Sequence, residues 1–291
     1  MKYEGVIYRP PSEADALILQ VTVGCSHNKC TFCPSYKDKR FRIKSFDEIM
    51  EDILEAKESG WSFRKVFLAD GDALIIPQKR LLPILNAITE NIKGVERIGI
   101  YGNAKSILMK TLEELKELKE AGLKIIYLGV ESGDQVVLDR VKKGVTVEKM
   151  IKAGKRVKEA GIKLSVTVLL GLGGKERSKQ HAIATGKILT KIDPDYVGAL
   201  SLIVVPGTPI ADEIERGEME IPDPFGLIEE LGLMMANTEL TKGLFFSNHA
   251  SNYLPIKARF PEGKEAALKA ISEVLSKRDK DILRPEYFRA L

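Results

Sequence analysis

The chain has 291 residues, of which 44% are hydrophobic and 30% charged, enough to bury a large core in one or two domains. Its 45 basic and 41 acidic residues give a net charge of +4. They interleave, as in Glu113–Glu120, which is typical of a solvated helix face and provides no basic stripe for nucleic acid. No apolar run is long enough to span a membrane and the N-terminus has no signal-peptide pattern, so we expect a soluble, cytoplasmic protein without membrane contact.

Six apolar, strand-like runs are each followed by segments with helical periodicity. The predicted strands are Leu17–Val23, Lys65–Ala69, Arg97–Tyr101, Lys124–Gly129, Lys163–Leu170 and Tyr196–Val205. The predicted helices are one that begins at about Ser45, then Gln78–Ile92, Thr111–Ala121, Gln135–Val141, Val147–Ala160 and Glu176–Lys191. Two of these helices begin with the spacing of a capping box, Ser45 with Glu48 and Thr111 with Glu114.

This alternation of strands and helices favours an α/β fold with a parallel sheet covered by helices. The short connections favour a barrel over an open sheet, so we predict a partial (β/α)6 TIM-like barrel over residues 1–210. The regular alternation of strands and helices ends after residue 210. Helical patterns at Leu227–Thr238 and Lys264–Ser276 enclose a short strand with an ordered loop. We therefore predict that residues 211–291 form a helical C-terminal extension packed on the barrel.

The three cysteines of the chain lie within nine residues, directly after the first predicted strand. Their spacing is C-x4-C-x2-C, formed by Cys25, Cys30 and Cys33. Thiolates this close together can hold one face of an iron–sulfur cluster, which normally takes four cysteine ligands. Because only three are present, the fourth iron of a cubane would be open to another ligand, and an open metal position is where chemistry takes place.

Other interpretations of the cysteines remain open. Plant-type ferredoxins share the C-x4-C-x2-C spacing but need a fourth cysteine, which this chain lacks. A structural zinc site of the Cys3His type could recruit His27, although only one residue separates it from Cys25. A disulfide with one free thiol is a further possibility, against which the odd number of cysteines and the expected cytoplasmic location argue.

Polar and glycine-rich segments also follow the other predicted strands. They are Ala69–Asp72, Tyr101–Asn103, Gly129–Gly133, Gly171–Gly174 and Pro206–Pro209. In parallel barrels, the loops at the carboxyl ends of the strands build the active site. We therefore expect these segments and the cysteines to share one rim.

In this order, over residues 17–210, the segments resemble the radical S-adenosylmethionine (SAM) superfamily. The resemblance is closest to the branch that contains anaerobic coproporphyrinogen oxidases, the Elongator catalytic subunit and methylthiotransferases. One departure is the extra residue between Cys25 and Cys30, since C-x3-C-x2-C is the common family spacing. The resemblance implies an enzyme that cleaves SAM reductively at a [4Fe–4S] cluster and forms a 5′-deoxyadenosyl radical.

The resemblance also implies site residues. Cys25, Cys30 and Cys33 would hold the cluster, and SAM would bind the fourth iron. The remaining implied contacts to SAM are Phe32 along the adenine, Asp70 or Asp72 near the ammonium group, Glu131 with Ser132 at the ribose, and the backbone of Gly171, Gly173 and Gly174 at the adenine. Structural roles are alternatives: the aspartates could cap their turn, and Glu131 could cap or pair with the following helix.

The substrate is less well defined by the sequence. His249 and Tyr253, in the polar loop of the extension, are candidates for substrate contact, whereas His181 is expected on the surface of a helix. The family chemistry implies a one-electron donor such as ferredoxin or flavodoxin, and we expect a small-molecule substrate. The lack of further cysteines argues against a methylthiotransferase. The alternatives are a zinc-stabilised scaffold protein and a radical SAM enzyme acting on a porphyrin or RNA.

Overall fold

The computed structural model describes residues 1–290, which form ten strands and ten α-helices. The strands are β1 (Leu17–Gln20), β2 (Thr22–Val23), β3 (Arg42–Ile43), β4 (Lys65–Ala69), β5 (Arg97–Tyr101), β6 (Leu123–Glu131), β7 (Lys163–Leu170), β8 (Tyr196–Ser201), β9 (Gly243–Phe246) and β10 (Lys257–Phe260). The helices are α1 (Phe46–Glu58), α2 (Gln78–Asn91), α3 (Ala104–Leu108), α4 (Leu112–Glu120), α5 (Gln135–Arg140), α6 (Val147–Glu159), α7 (Gly174–Ile192), α8 (Pro209–Glu215), α9 (Pro224–Ala236) and α10 (Lys264–Lys277).

Eight of the strands form one sheet in the order β1-β4-β5-β6-β7-β8-β9-β10, and β2 pairs with β3 separately. The chain divides into two compact units. The first comprises Met1–Asn28, Ser35–Leu128 and Ala153–Leu164, and the second comprises Lys29–Pro34, Gly129–Lys152 and the chain from Ser165 onwards. Within residues 1–290, no helix combines the length and apolar character that crossing a membrane would require.

In the first unit, β1, β4, β5 and the first part of β6 pair in parallel. Gln20 lies opposite Ala69 and Leu68 opposite Ile100, so the carboxyl ends of these strands share one edge. Helix α1 packs against β1 and α2. The middle of β4 is fully buried, which explains why its sequence is a continuous apolar run rather than an alternating one.

In the second unit, β7 pairs in parallel with β8 and β8 with β9, while β10 runs antiparallel to β9. Leu170 lies opposite Ser201 and Gly198 opposite Phe246. The turns after β7, β8 and β9 therefore follow strand ends that point the same way. Helix α9 packs against both α7 and α10.

The predicted alternation of strands and helices is confirmed, and so is the short strand in the tail, which is β9. Both predicted capping boxes form: Ser45 Oγ accepts from Glu48 N at 3.2 Å, and Thr111 Oγ1 accepts from Glu114 N at 3.1 Å. The sequence did not predict β3, β10, α3 or α8. It also extended the sixth strand to Val205, whereas β8 ends at Ser201.

Candidate functional site

The turn after β4 is held by the carboxylate of Asp70, which is fully buried. Its Oδ2 accepts hydrogen bonds from Gln20 Nε2 at 2.9 Å and Gly24 N at 2.9 Å, and it lies 3.1 Å from the Lys39 ammonium. The other oxygen, Oδ1, is buried without a hydrogen-bond partner. A buried carboxylate oxygen with no donor is costly, and it offers an acceptor to a cationic ligand.

Asp72, two residues later, has a different environment. Its Oδ1 accepts from Ser106 Oγ at 2.7 Å, and its Oδ2 accepts from Asn103 Nδ2 at 2.7 Å and from Ser26 Oγ. Both oxygens are therefore used within the protein. Asp72 joins the turn after β4 to the turn after β5 and to Ser26, the residue next to Cys25.

Gly71, between these aspartates, lies against the start of the cysteine segment. A Cβ atom at this position would come 3.1 Å from Cys25 Cβ and 2.5 Å from Tyr36 Cε2. Tyr36 is buried. Only glycine permits so close an approach, and the contact places the turn after β4 directly beside Cys25.

The other two cysteines lie in a segment fixed by the second unit. Thr31 N donates to Val141 O at 3.0 Å, and Ile210 N donates to Thr31 O at 3.3 Å. Phe32 packs on a buried apolar cluster formed by Val137, Val141, Leu172, Leu202, Ile210 and Met219. Cys30 and Cys33 therefore flank a well-anchored pair of residues.

All three cysteines are half-buried and form no disulfide. Among residues 1–290, no group of three or more His, Cys, Asp and Glu side chains is gathered so that it could hold a metal ion. A tetrahedral zinc site needs four donors about one ion. Among the described residues, neither the Cys3His arrangement with His27 nor a set of three thiolates about one metal centre is therefore preformed.

Glu131, at the end of β6, has a left-handed backbone with a φ of 62°, which is uncommon for a residue other than glycine. The residue is 8% exposed, and its Oε1 accepts from Lys143 Nζ at 2.9 Å. A Cβ atom at Gly129 would lie 2.1 Å from the same oxygen. The glutamate thus folds back over its own strand and makes an ion pair with Lys143, which lies in the loop after α5 and not in the following helix itself.

Ser132 and the residues after it are fastened to α7. Ser132 Oγ accepts from Asp134 N at 3.0 Å and lies 2.8 Å from His181 Nδ1, so this hydroxyl has its partners within the protein. Gly133 N donates to Thr185 Oγ1 at 2.9 Å. The predicted contact of Ser132 with a ribose would compete with these bonds.

The glycines after β7 are required by the packing of that turn. Gly171 has a φ of 81°, and a Cβ atom there would lie 2.9 Å from Leu227 Cδ2. A Cβ atom at Gly173 would lie 3.0 Å from His181 Cβ. The amide of Gly171 donates to Glu230 Oε1 at 2.7 Å.

The prediction that His181 lies on the surface was wrong, since its side chain is 0% exposed. Burial lowers the pKa of His181 to about 4. Glu230, which the sequence analysis missed, is equally buried, and burial raises the pKa of its carboxyl to about 7. A signal was available, because Glu230 lies in α9 among almost entirely apolar residues.

The polar loop after β9 lies at the carboxyl end of β8. Asn252 Oδ1 accepts from Ser201 Oγ at 2.8 Å, and Asn252 Nδ2 donates to Ala199 O at 2.8 Å. His249 is half-buried, and burial lowers its pKa. Tyr253 Oη bonds the Glu286 carboxylate and accepts from Arg289 Nη1 at 2.6 Å, which joins this loop to the C-terminal segment.

A family model described as the radical SAM superfamily matches residues 19–184, more than half of the chain. This chain is a member of the radical SAM superfamily. Radical SAM proteins are enzymes that use a [4Fe–4S] cluster and SAM, and these are the cofactors of this chain. The superfamily predicted from the cysteine loop and the strand-end segments is confirmed.

Similar proteins differ widely in how much of their length this radical SAM chain spans. An uncharacterised protein of Methanocaldococcus jannaschii is 27% identical over 284 residues, which cover 89% of this chain and 84% of that protein. An uncharacterised methyltransferase of Pyrococcus horikoshii is 27% identical over 194 residues, which cover 66% of this chain and 40% of that protein. The chain therefore spans under half of the second relative.

Among solved structures, a radical SAM methyltransferase of Kitasatospora setae with cobalamin and a [4Fe–4S] cluster bound has a TM-score of 0.56 at 18% identity. The match covers 69% of this chain and 39% of that protein. At this identity the likeness establishes the fold. The α/β partial barrel predicted from the sequence is confirmed, with β9 and β10 added by the extension.

Proposed function

We propose that this chain cleaves SAM reductively, with Cys25, Cys30 and Cys33 as the three thiolate ligands of its [4Fe–4S] cluster. The observation that carries the proposal is that the chain has three cysteines in one loop and no fourth. When bound, the cluster and SAM supply a 5′-deoxyadenosyl radical that takes hydrogen from a substrate or adds to it. The surrounding residues bind SAM, orient it and exclude water.

The donor set and the shape of the turn after β4 fit these cofactors. The three thiols are free of disulfides, and the unpartnered Asp70 Oδ1 can accept from the ammonium group of SAM. The lack of a side chain at Gly71 keeps the backbone of this turn next to Cys25. Asp72 acts by positioning, because its oxygens already hold Ser26 and Asn103.

The ribose and adenine contacts are assigned to the turns after β6 and β7. Glu131, with its carboxylate beside Gly129 at the end of β6, would accept hydrogen bonds from the ribose hydroxyls. Ser132, the next residue, assists by fixing the turn through its bonds with Asp134 N and His181 Nδ1. Phe32 and the backbone of Gly171, Gly173 and Gly174 line the adenine.

The partners follow from this chemistry. A one-electron donor such as ferredoxin or flavodoxin would supply the electron that the bound cluster needs, and a small-molecule substrate would contact the loop of His249 and Tyr253. The setting is anaerobic and cytoplasmic, and the overall reaction falls among the oxidoreductases or transferases. Residues 1–210 form the barrel core and residues 211–291 a C-terminal extension packed on it.

Anaerobic reconstitution with iron and sulfide tests the function. We expect about four irons per chain and, with a strong reductant, conversion of SAM to 5′-deoxyadenosine and methionine. The Cys30→Ala variant is the matched control, and we expect it to lose both the cluster and the cleavage. One tightly bound zinc with no response to SAM would instead indicate the scaffold protein, and a Cys30→Ala variant with normal 5′-deoxyadenosine formation would refute the ligand assignment.

A further inference from the structure

Fully buried polar side chains lie beneath the turns after β6 and β7. They are Ser132, His181, Thr185 and Glu230. We infer that His181 and Glu230 are positioning residues, which hold the ribose-binding and adenine-binding turns in one arrangement without touching SAM. The inference rests on the proposed function, since it takes Glu131 and Gly171 as parts of the SAM site.

His181 joins the turn after β6 to the last residues of β7. Its Nε2 lies 2.9 Å from Leu169 O, which can only accept, so Nε2 carries the hydrogen. Nδ1 is then the acceptor, and Ser132 Oγ donates to it across 2.8 Å. Burial keeps the ring neutral, since the pKa of His181 is lowered to about 4, and this tautomer satisfies both ring nitrogens.

Glu230, from α9, supports the turn after β7. Its Oε1 accepts from Gly171 N at 2.7 Å, and its Oε2 accepts from Ser178 Oγ. The same Oε1 lies 3.4 Å from His181 Nε2. The residue that holds the turn after β7 is therefore close to the residue that holds the turn after β6. Removing the carboxylate would leave the Gly171 amide buried without an acceptor, which is more costly than the net gain of an average hydrogen bond.

Side chains on one face of α7 form hydrogen bonds with the turn after β6. Arg177 Nη2 donates to Asp134 Oδ2 at 2.7 Å, and Thr185 Oγ1 accepts from Gly133 N. Arg177, His181 and Thr185 recur every four residues and therefore share this face. A Cβ atom at Gly133 would lie 2.2 Å from Ala184 O, so the turn rests directly on the helix.

A consequence concerns the C-terminal part of the chain. Glu230 lies beyond residues 19–184, the part that the superfamily model matches. The arrangement of the SAM-binding turns in this protein therefore depends on α9 as well as on the barrel core. We expect changes at Glu230 to alter the affinity for SAM even though α9 carries no expected SAM contact.

Two replacements of His181 separate its two hydrogen bonds in the reconstituted full-length protein. His181→Asn places an acceptor near the former Nδ1 and can keep the bond from Ser132. His181→Gln keeps a donor near the former Nε2 but loses that acceptor. With iron content near native, we expect His181→Gln to raise the dissociation constant of SAM about tenfold, and His181→Asn to raise it much less.

A double-mutant cycle tests whether His181 acts through Glu131. In the Glu131→Ala background, we expect His181→Gln to have little further effect on SAM binding, because the group it positions is gone. An unchanged tenfold effect in that background would show a general structural role and overturn the inference. If His181→Gln does not fold, Ser132→Ala replaces it in the same cycle, since it removes the donor and keeps the ring.

Glu230 is tested with a conservative pair and a matched control. We expect Glu230→Ala to weaken SAM binding about tenfold, and Glu230→Gln to restore most of the affinity because its amide oxygen can accept from Gly171 N. Thr238→Val is the control, since Thr238 is also fully buried and its hydroxyl Oγ1 donates to Met234 O in its own helix region, at 2.7 Å. We expect it to leave SAM affinity unchanged.

Two failures can be told apart. If the native protein, fully loaded with cluster, does not bind SAM, the proposed function fails. The inference then fails as well, because it assumes a SAM site. If the native protein and Thr238→Val bind SAM and Glu230→Ala binds it equally well, the inference alone fails.

Discussion

At the scale of single residues, Glu131 combines a left-handed backbone with a nearly buried carboxylate. Strained backbone of this kind persists where the surrounding structure holds it, and often where it serves a ligand. We expect Glu131→Ala to retain the cluster and to weaken SAM binding by about 1–3 kcal/mol, roughly 5- to 150-fold. Titration of SAM into the reconstituted variant measures this.

The ion pair of Glu131 provides a control. Lys143→Met removes the cation, 2.9 Å from Glu131 Oε1, and leaves the carboxylate in place. We expect its SAM affinity to stay closer to native than that of Glu131→Ala. If Glu131→Ala binds SAM like the native protein, its role is limited to the pair with Lys143.

Gly71 gives a second prediction at this scale. The Cβ of Gly71→Ala would press on Tyr36 at 2.5 Å, so we expect a loss of about 1–3 kcal/mol of stability and a lower iron content per chain. Thermal unfolding and iron analysis measure the two effects. Gly198→Ala is the control, since its Cβ would meet no side chain closer than 3.6 Å.

A partial rescue tests the cause. Adding Tyr36→Leu to Gly71→Ala removes the ring that the new methyl group meets, and we expect part of the iron content to return. Native iron content in Gly71→Ala alone would show that the turn does not need its close approach to Cys25.

Sequence patterns single out residues whose spacing along the chain is informative and miss those whose partners are distant. The three cysteines and the glycine turns are defined by spacing along the chain. His181 lies in a polar stretch of α7, which predicts an exposed helix face. Its hydrogen-bond partner Ser132 is 49 residues away along the sequence. Glu229 and Glu230 are adjacent, yet only the second is buried, and the packing of α9 decides which.

At the scale of elements, the contact between α7 and α9 brings two groups with opposite pH dependence together. Burial lowers the pKa of His181 from 6.5 to about 4, so its contribution to stability is full above pH 6.5 and is lost as the pH falls towards 4. Burial raises the pKa of Glu230 from 4.5 to about 7, so its contribution is full below pH 4.5 and is lost as the pH rises to 7.

Single replacements should separate these effects. At about 1.4 kcal/mol per pH unit, each shift corresponds to roughly 3 kcal/mol, and in the native protein the two nearly cancel between pH 4.5 and 6.5. Relative to the native protein, we expect Glu230→Gln to gain stability as the pH rises from 4.5 to 7, and His181→Gln to lose it. Denaturant unfolding across this range measures both, and parallel pH profiles of all three proteins would contradict the pKa directions.

Short strands are the elements that sequence patterns predict least well. Long strands such as β7 and capped helices such as α1 are predictable because many of their residues follow the same apolar periodicity or form a recognisable cap. Strand β3 has two residues, too few for any periodicity to appear, and the predicted strand Leu17–Val23 is divided in the structure into β1 and β2. Strand β10 was missed because its sequence, Lys257–Phe260, has only four residues and two charges.

At the scale of the whole molecule, the loop after β9 is linked to the C-terminal segment through Tyr253 and Arg289. Replacing His249 by Ala and Tyr253 by Phe together should leave the iron content and the uncoupled cleavage of SAM close to native, because neither residue is assigned to the cofactors. Turnover of the true substrate should fall. Loss of 5′-deoxyadenosine formation in this double variant would show that the loop contributes to binding of the cofactors rather than of the substrate.

The central claim is that three cysteines hold a cluster whose fourth iron is open to SAM. Electron paramagnetic resonance of the reduced, reconstituted protein with and without SAM tests it most directly. We expect a [4Fe–4S] signal that changes when SAM is added and that is absent from Cys30→Ala. A cluster signal that saturating SAM leaves unchanged, or a protein that takes up one zinc and no cluster, would contradict the claim.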